Sequence, residues 1–158
     1  MIAAKMKTWK QIEGLVAKLR SENKSIVFSN GCFDIIHAGH AVYLNQAKGL
    51  GDVLIIGLNS DASVRRLKGE FRPIVDQVNR AIVLAALESV DYVVIFDEDT
   101  PYELIKLIQP DILVKGGDWR TDQIVGADIV TARGGRVESI QYNEGLSSTN
   151  IITRIKSL

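Results

Sequence analysis

The sequence holds a single cysteine, Cys32, so no internal disulfide framework stands behind the fold. Charge of one sign is missing too. Nineteen Lys and Arg balance nineteen Asp and Glu, and nothing in that balance draws the chain to nucleic acid or an anionic membrane. No apolar run approaches the roughly 20 residues of a membrane span, and the opening "MIAAKMKTWK" has no apolar core of signal-peptide length. A cytoplasmic protein is therefore expected, with no membrane and no nucleic-acid partner. Neither GxGxxG nor GxxxxGK(S/T) occurs, which removes the dinucleotide fingerprint and the P-loop. Linkers, internal repeats and low-complexity segments are absent as well, and 158 residues suffice for one full core. One domain over residues 1–158 is expected.

What the chain does have is a rhythm of elements. "SIVFSN" (25–30), "DVLIIGLN" (52–59), "DYVVIF" (91–96), "DILVK" (111–115) and "RVESIQ" (136–141) are short runs rich in Val and Ile. Most read as strands buried on both faces, the mark of a parallel sheet. Helical patterns alternate with them over 38–51, 76–90 and, behind Pro101, 101–109, and "SSTNIITRIKSL" (147–158) closes the chain behind a Ser/Thr cap. The segment 1–23, with "TWKQIEGLVAKLRSEN" (8–23), reads as an N-terminal helix packed outside. This alternation predicts a Rossmann-like, right-handed doubly wound α/β domain: a parallel five-stranded sheet in a single α/β/α unit.

In such folds ligands sit beyond the carboxyl ends of the strands. There the chain places "SNGCFDIIHAGH" (29–40), which contains both of its histidines, His37 and His40. Near a helix N-terminus that favours anions, two imidazoles on one helical face can donate hydrogen bonds to a phosphate gaining charge in a transition state. Gly39 lets a bulky phosphate approach the backbone. Three plainer readings compete: a metal held by the histidines with Cys32 and Asp34, two polar residues satisfied at a helix start, and Cys32 as a small buried hydrophobe. Asp34, taken by itself, reads as a helix-entry cap.

Arg65, Arg66, Lys68, Arg72 and Arg80 face only Glu70 and Asp76 between residues 65 and 80, a basic cluster suited to a triphosphate or sugar phosphate, although Arg65 and Arg66 fit solvated surface better. "KGGDW" (115–119) follows a strand, with Gly116 and Gly117 permitting close backbone approach and Lys115 within reach of a phosphate; Trp119 fits core equally. In "GLSSTN" (145–150), Ser147, Ser148 and Thr149 offer hydroxyls and N–H groups at a helix start, for a phosphate or merely as caps.

"FDIIHAGH" resembles the HxGH signature of the nucleotidyltransferase superfamily, whose members join a nucleotide's α-phosphate to a phosphorylated acceptor and release pyrophosphate. The likeness runs on through "GLNSDASVRRLKGEFRPI", "NRAIVLAALESVDYVV", "LVKGGDW" and "EGLSSTNII". Within the superfamily this set is similar to the adenylyltransferases of ADP-heptose synthesis, which act on ATP and D-glycero-β-D-manno-heptose 1-phosphate. The resemblance implies catalytic roles for His37, His40 and Lys68. It implies ATP contacts at Gly31, Cys32, Phe33, His37, Gly39, His40, Asn59, Asp61, Arg80, Gly117, Asp118, Trp119, Ser147, Ser148 and Thr149. Sugar-phosphate contacts are implied at Asp34, Lys68, Arg72 and Lys115. No metal site made by the protein is expected; Mg²⁺ would arrive with ATP. A stand-alone enzyme served by a separate sugar kinase, and a homodimer or higher homo-oligomer, are further expectations. The alternatives are a cytidylyltransferase for a small polyol phosphate such as glycerol 3-phosphate, and a non-catalytic nucleotide-binding domain. The arginine that cytidylyltransferases of this superfamily carry just before the serines is missing near Tyr142 and Asn143, which weakens the CTP reading.

Overall fold

All five Val- and Ile-rich runs form strands in a computed structural model that describes residues 1–141 and 147–158. In chain order the elements are α1 (Ile2–Lys5), β1 (Met6–Lys7), α2 (Trp9–Ser21), β2 (Ile26–Gly31), α3 (Ala38–Lys48), β3 (Val53–Asn59), α4 (Asp61–Lys68) and α5 (Gln77–Ala86). They continue with β4 (Tyr92–Phe96), α6 (Tyr102–Ile108), β5 (Ile112–Gly116), α7 (Ala127–Ala132), β6 (Arg136–Ile140) and α8 (Ser148–Lys156). A 3₁₀ turn spans Thr121–Gln123.

The strands lie in the order β1-β4-β3-β2-β5-β6, and every pairing is parallel. Among the described residues the sheet thus has six strands and not five. The extra one, β1, is only two residues long and pairs Met6 with Val93 and Lys7 with Val94. Such a fragment carries no periodic pattern of its own; pairing to β4 makes it a strand.

Side-chain alternation along each strand sorts the core into two layers. Phe28, Ile55, Val94 and Leu113 point to the face covered by α2, α6 and α7, where Ile12, Val16, Leu104, Ile108 and Val130 meet them. Val27, Leu54, Ile56, Leu58 and Val114 point to the other face, against Tyr43, Leu44, Ala81 and Leu84 of α3 and α5. Each fully buried aliphatic or aromatic side chain contributes about 1.5–3 kcal/mol relative to exposure. Helix α2 is therefore an outer layer and part of the core together, with Ile12 fully buried. Its start is set by a capping box between Thr8 and Gln11, and Trp9 donates through Nε1 to the Ile95 carbonyl, 3.1 Å, fixing α2 to β4. No helix among the described residues is long and apolar enough to cross a membrane.

Candidate active site

The chain leaves β2 towards one edge of the sheet through β3 and β4, and later returns to pair β5 on the other side of β2. The reversal opens a crevice between the carboxyl ends of β2 and β5, where ligands bind in doubly wound sheets. A pocket of about 620 Å³ occupies it, with Asn30, Gly31 and Cys32 on the β2 side and Lys115 and Gly116 on the β5 side.

The turn after β2 is built tightly. Phe33 sits in the left-handed region, φ 45°, and its ring is buried against Gly31; a Cβ on Gly31 would lie 2.9 Å from Phe33 Cε2. A residue other than glycine held at such a φ costs free energy, which the burial of the ring offsets here. The ring also meets that of His40, with 5.3 Å between centroids.

His37 is the N-cap of α3, accepting the Gly39 N–H at Nδ1 over 3.1 Å, while His40 Nδ1 accepts the His37 N–H at 3.4 Å. An imidazole that accepts at Nδ1 in its neutral form carries its proton on Nε2. Burial lowers the proton affinity of His37. Burial, then His37 and Lys68, push His40 down to about 4. Near neutral pH the site therefore holds two uncharged rings, 4.0 Å apart between centroids, each an Nε2–H donor at a helix N-terminus. The same contacts that cap the helix set the tautomer of both rings. His40 lines the pocket, whereas His37, the N-cap of the same helix, is not part of its lining.

The expected basic cluster divides. Arg80 is fully buried outside the pocket lining. It donates to the carbonyls of Val75 (2.8 Å), Cys32 (2.6 Å) and Asn59 (2.9 Å) and to Asp61 Oδ1 (2.7 Å). It ties the ends of β2 and β3 to the starts of α4 and α5. Arg72 lines the pocket but is held through Nε by Asp34, 2.6 Å. Asp34, 4% exposed, also accepts the N–H groups of Ile74 (2.8 Å) and Val75 (2.9 Å), so it latches the 72–75 loop and caps no helix. Burial alone would push its carboxyl up, but the Val75 and Ile74 N–H groups with Arg72 outweigh that and hold it low. Arg66 pairs with Asp99 at 2.8 Å on the surface, and Arg65 is exposed. Lys68, at the rim, and Lys115, half-buried, both line the pocket. Burial pushes the Cys32 thiol up against the pull of the surrounding cations, so it is no activated nucleophile.

Trp119 lines the pocket and is 51% exposed, which removes the core reading. Its Nε1 donates to the Gly116 carbonyl at 3.1 Å, an approach that Gly117, φ 113°, leaves open: a Cβ there would meet Nε1 at 2.9 Å. Asn59 lines the pocket and donates to Ser63. Ser148 lines it too, with Oγ donating to the Ile35 carbonyl at 3.0 Å, so the start of α8 is fastened beside the histidine turn. Ser147 caps α8 through the Asn150 N–H. Asp61, Gly117, Asp118, Ser147, Thr149 and Gly39 are not part of the pocket lining. Tyr142 and Asn143, where the missing arginine would fall, lie outside the described residues, as does Gly145.

Several lining residues escaped the sequence reading: Leu67, the Asp99–Thr100–Pro101 turn and Gln123–Ile124–Val125. The turn was findable by position, because it follows the carboxyl end of β4 in a parallel sheet.

A sequence model of the family described as cytidylyltransferase-like matches residues 28–154. The chain belongs to that family. It is 53% identical over 98% of its length to the bifunctional protein HldE of Citrifermentans bemidjiense, and 59% identical over 93% to that of Campylobacter jejuni. It spans about a third of the length of these relatives, 32% and 31%. Among solved structures it resembles the lipopolysaccharide core biosynthesis protein from Thermoplasma volcanium, with TM-score 0.60 and 28% identity over 76% of this chain and 97% of that one. Pantoate-beta-alanine ligase from Francisella tularensis has the same fold, with TM-score 0.63 at 16% identity over 96% of this chain and 76% of that one.

Proposed function

We propose that this family member is an adenylyltransferase that makes ADP-heptose and pyrophosphate from ATP and D-glycero-β-D-manno-heptose 1-phosphate. The acceptor is supported by the likeness to HldE proteins over nearly the whole chain and by the ordered motifs from "FDIIHAGH" to "SSTNII". The observation that carries the chemistry is the pair of Nε2–H imidazoles at the start of α3.

An oxygen of the acceptor phosphate attacks the α-phosphorus, and the bond from that phosphorus to the oxygen bridging to the β-phosphate breaks, releasing pyrophosphate. The attacking group is already largely ionised near neutral pH, since the second pKa of a phosphate monoester is about 6. No protein base or nucleophile is needed, only positioning and stabilisation of charge on the α-phosphate. His37 and His40 supply donors set in place before the reaction, and the α3 N-terminus adds its positive end. Among the described residues no three His, Cys, Asp or Glu side chains converge as a metal-holding group, the His37, His40, Cys32 and Asp34 set included. In this reading Mg²⁺ would be held by the nucleotide's phosphates and water, where it would neutralise phosphate charge. A sugar kinase supplying the acceptor, a homodimer and a cytoplasmic address go with this reading on the strength of the resemblance.

Pyrophosphate release over a matrix of ATP or CTP against heptose 1-phosphate or glycerol 3-phosphate tests it. ATP with the heptose should turn over fastest. Equal or faster turnover of CTP with glycerol 3-phosphate would give the site to the polyol reading, and no release from any pair would favour a binding domain.

A further inference from the structure

The two strands that flank the crevice part at a defined point. β2 keeps its pairing to β3 as far as Gly31, but its pairing to β5 ends at Phe28 and Leu113. Ser29 and Val114 come next on the two strands, and the residues beyond them, Asn30, Gly31, Lys115 and Gly116, line the pocket. The fork between Ser29 and Val114 is therefore the floor of the crevice. Where a ladder ends in the interior, the backbone groups it leaves need other partners.

Tyr43 of α3 supplies one. It is 2% exposed and belongs to the apolar layer with Val27, Leu54 and Val114. Its hydroxyl lies 2.5 Å from Ser29 Oγ and donates to the Val114 carbonyl at 3.3 Å. A carbonyl only accepts, so the Tyr43 proton goes there and the Ser29 hydroxyl donates to the Tyr43 oxygen. Ser29 is fully buried, and alternation puts it on Val27's side of the sheet, which α3 covers. Tyr43 follows His40 by three residues on the same helical face and is not part of the pocket lining. One side chain thus fastens the helix that carries the imidazoles to both walls of the crevice.

We propose that Tyr43 is a positioning residue: its hydroxyl sets how far the histidine helix stands from β2 and β5, and so where the imidazoles meet the α-phosphate. This rests on the nucleotidyl-transfer reading of the pocket.

Tyr43→Phe removes the oxygen and keeps the ring. Misplacing reacting groups by about 1 Å can cost on the order of 10²-fold in rate. The variant should therefore lose about 10- to 100-fold in kcat while its Kd for α,β-methylene-ATP stays within about twofold. Its melting temperature should fall as well, because Ser29 Oγ and the Val114 carbonyl are left buried without this partner. The double variant Ser29→Ala/Tyr43→Phe also removes the orphaned hydroxyl. It should recover most of the melting temperature, since replacing both partners of a buried hydrogen bond by apolar groups is nearly neutral, and its kcat should stay low. A kcat that returns with the melting temperature, or a Tyr43→Phe variant as fast as the parent, would make the hydroxyl a packing feature and overturn the proposal. So would analogue binding that weakens as much as kcat.

A second measurement needs no turnover. With two histidines in the chain, the imidazole Cε1–H signals in an NMR spectrum belong to His37 and His40 alone. Saturating α,β-methylene-ATP should displace the His40 signal in the parent and displace it less than half as far in Tyr43→Phe; equal displacement would overturn the proposal. A parent that prefers CTP, or that binds a nucleotide and turns over no pair, would sink the adenylyltransferase reading alone. The NMR comparison, made with α,β-methylene-CTP where CTP is preferred, would then decide Tyr43. A parent whose histidine signals respond to neither analogue would overturn both.

Discussion

His37 and His40 each keep Nδ1 on a backbone N–H, so a single local arrangement starts α3 and puts the proton of both neutral rings on Nε2. Helix capping and the proposed catalytic role thus fall on the same side chains, and a substitution must separate them. Replacing either histidine by Ala should lower kcat about 10²–10³-fold, the usual loss for one transition-state donor. ATP affinity should change far less. His37→Asn keeps an oxygen that can cap the helix, so its melting temperature should stay near the parent's while kcat still falls. Melting curves, ATP titration and steady-state rates on the same variants check this, and near-normal kcat in all of them would remove the imidazoles from the reaction. The pair was legible because the chain has no other histidines and sets these at a strand-to-helix turn. Arg80 was not, since an arginine in a basic run is ordinarily at the surface, and only the fold reveals the carbonyls waiting for it.

At the scale of elements, Arg80 and Asp34 do the same kind of work from opposite signs. Arg80 joins β2, β3, α4 and the entrance of α5, and Asp34 holds the loop between α4 and α5 against the turn after β2. The crevice keeps its shape because both loops at its floor are cross-tied. Neutralising Arg80 leaves three carbonyls and Asp61 without their donor, and breaking a buried pair of this kind costs about 3–5 kcal/mol. Arg80→Met should therefore lower the melting temperature by many degrees. Lys68→Met, at an exposed rim position, should leave it unchanged and raise the KM for ATP or the acceptor. Thermal melts beside initial rates separate the two, and an Arg80 variant as stable as the parent would mean that the clamp contributes little. The strands and main helices could be read from periodicity because both faces of this sheet are covered and its strands are nearly all apolar. Helix α4 could not: in "DASVRRLK" only Ser63 and Val64 are buried, so no apolar stripe marked it as a helix and it read only as part of a basic cluster. β1 exists only through its pairing with β4.

Across the whole molecule, three shifted groups at or beside the crevice, His37, His40 and Asp34, give folding a directional dependence on pH. An unfolded histidine takes up its proton near pH 6.5, but His40 in the folded chain resists until about 4. Between those values the unfolded state holds more protons, so stability is full above about pH 6.5 and is lost as pH falls towards 4. His37 is shifted the same way. Asp34, its carboxyl held low by backbone N–H groups and Arg72 against its burial, contributes stability that is complete above the ordinary carboxylate range and disappears as pH falls through its folded value. Acidification should therefore weaken the protein in two stages, first through the histidines and then through the latch that holds the 72–75 loop. Melting temperatures from pH 8 to 3 should show a plateau above about pH 7, a decline between roughly 6.5 and 4, and a further fall below. His40→Gln should flatten the first decline and leave the second, because its amide does not titrate. A saturating ATP analogue should raise the curve at neutral pH by mass action, and less at low pH, where protonation of the nucleotide and loss of the latch work against binding. A parent chain whose melting temperature stays constant from pH 7 to 4.5 would show that His40 is not desolvated in the fold, and would undo the assignment of two neutral donors on which the chemistry depends.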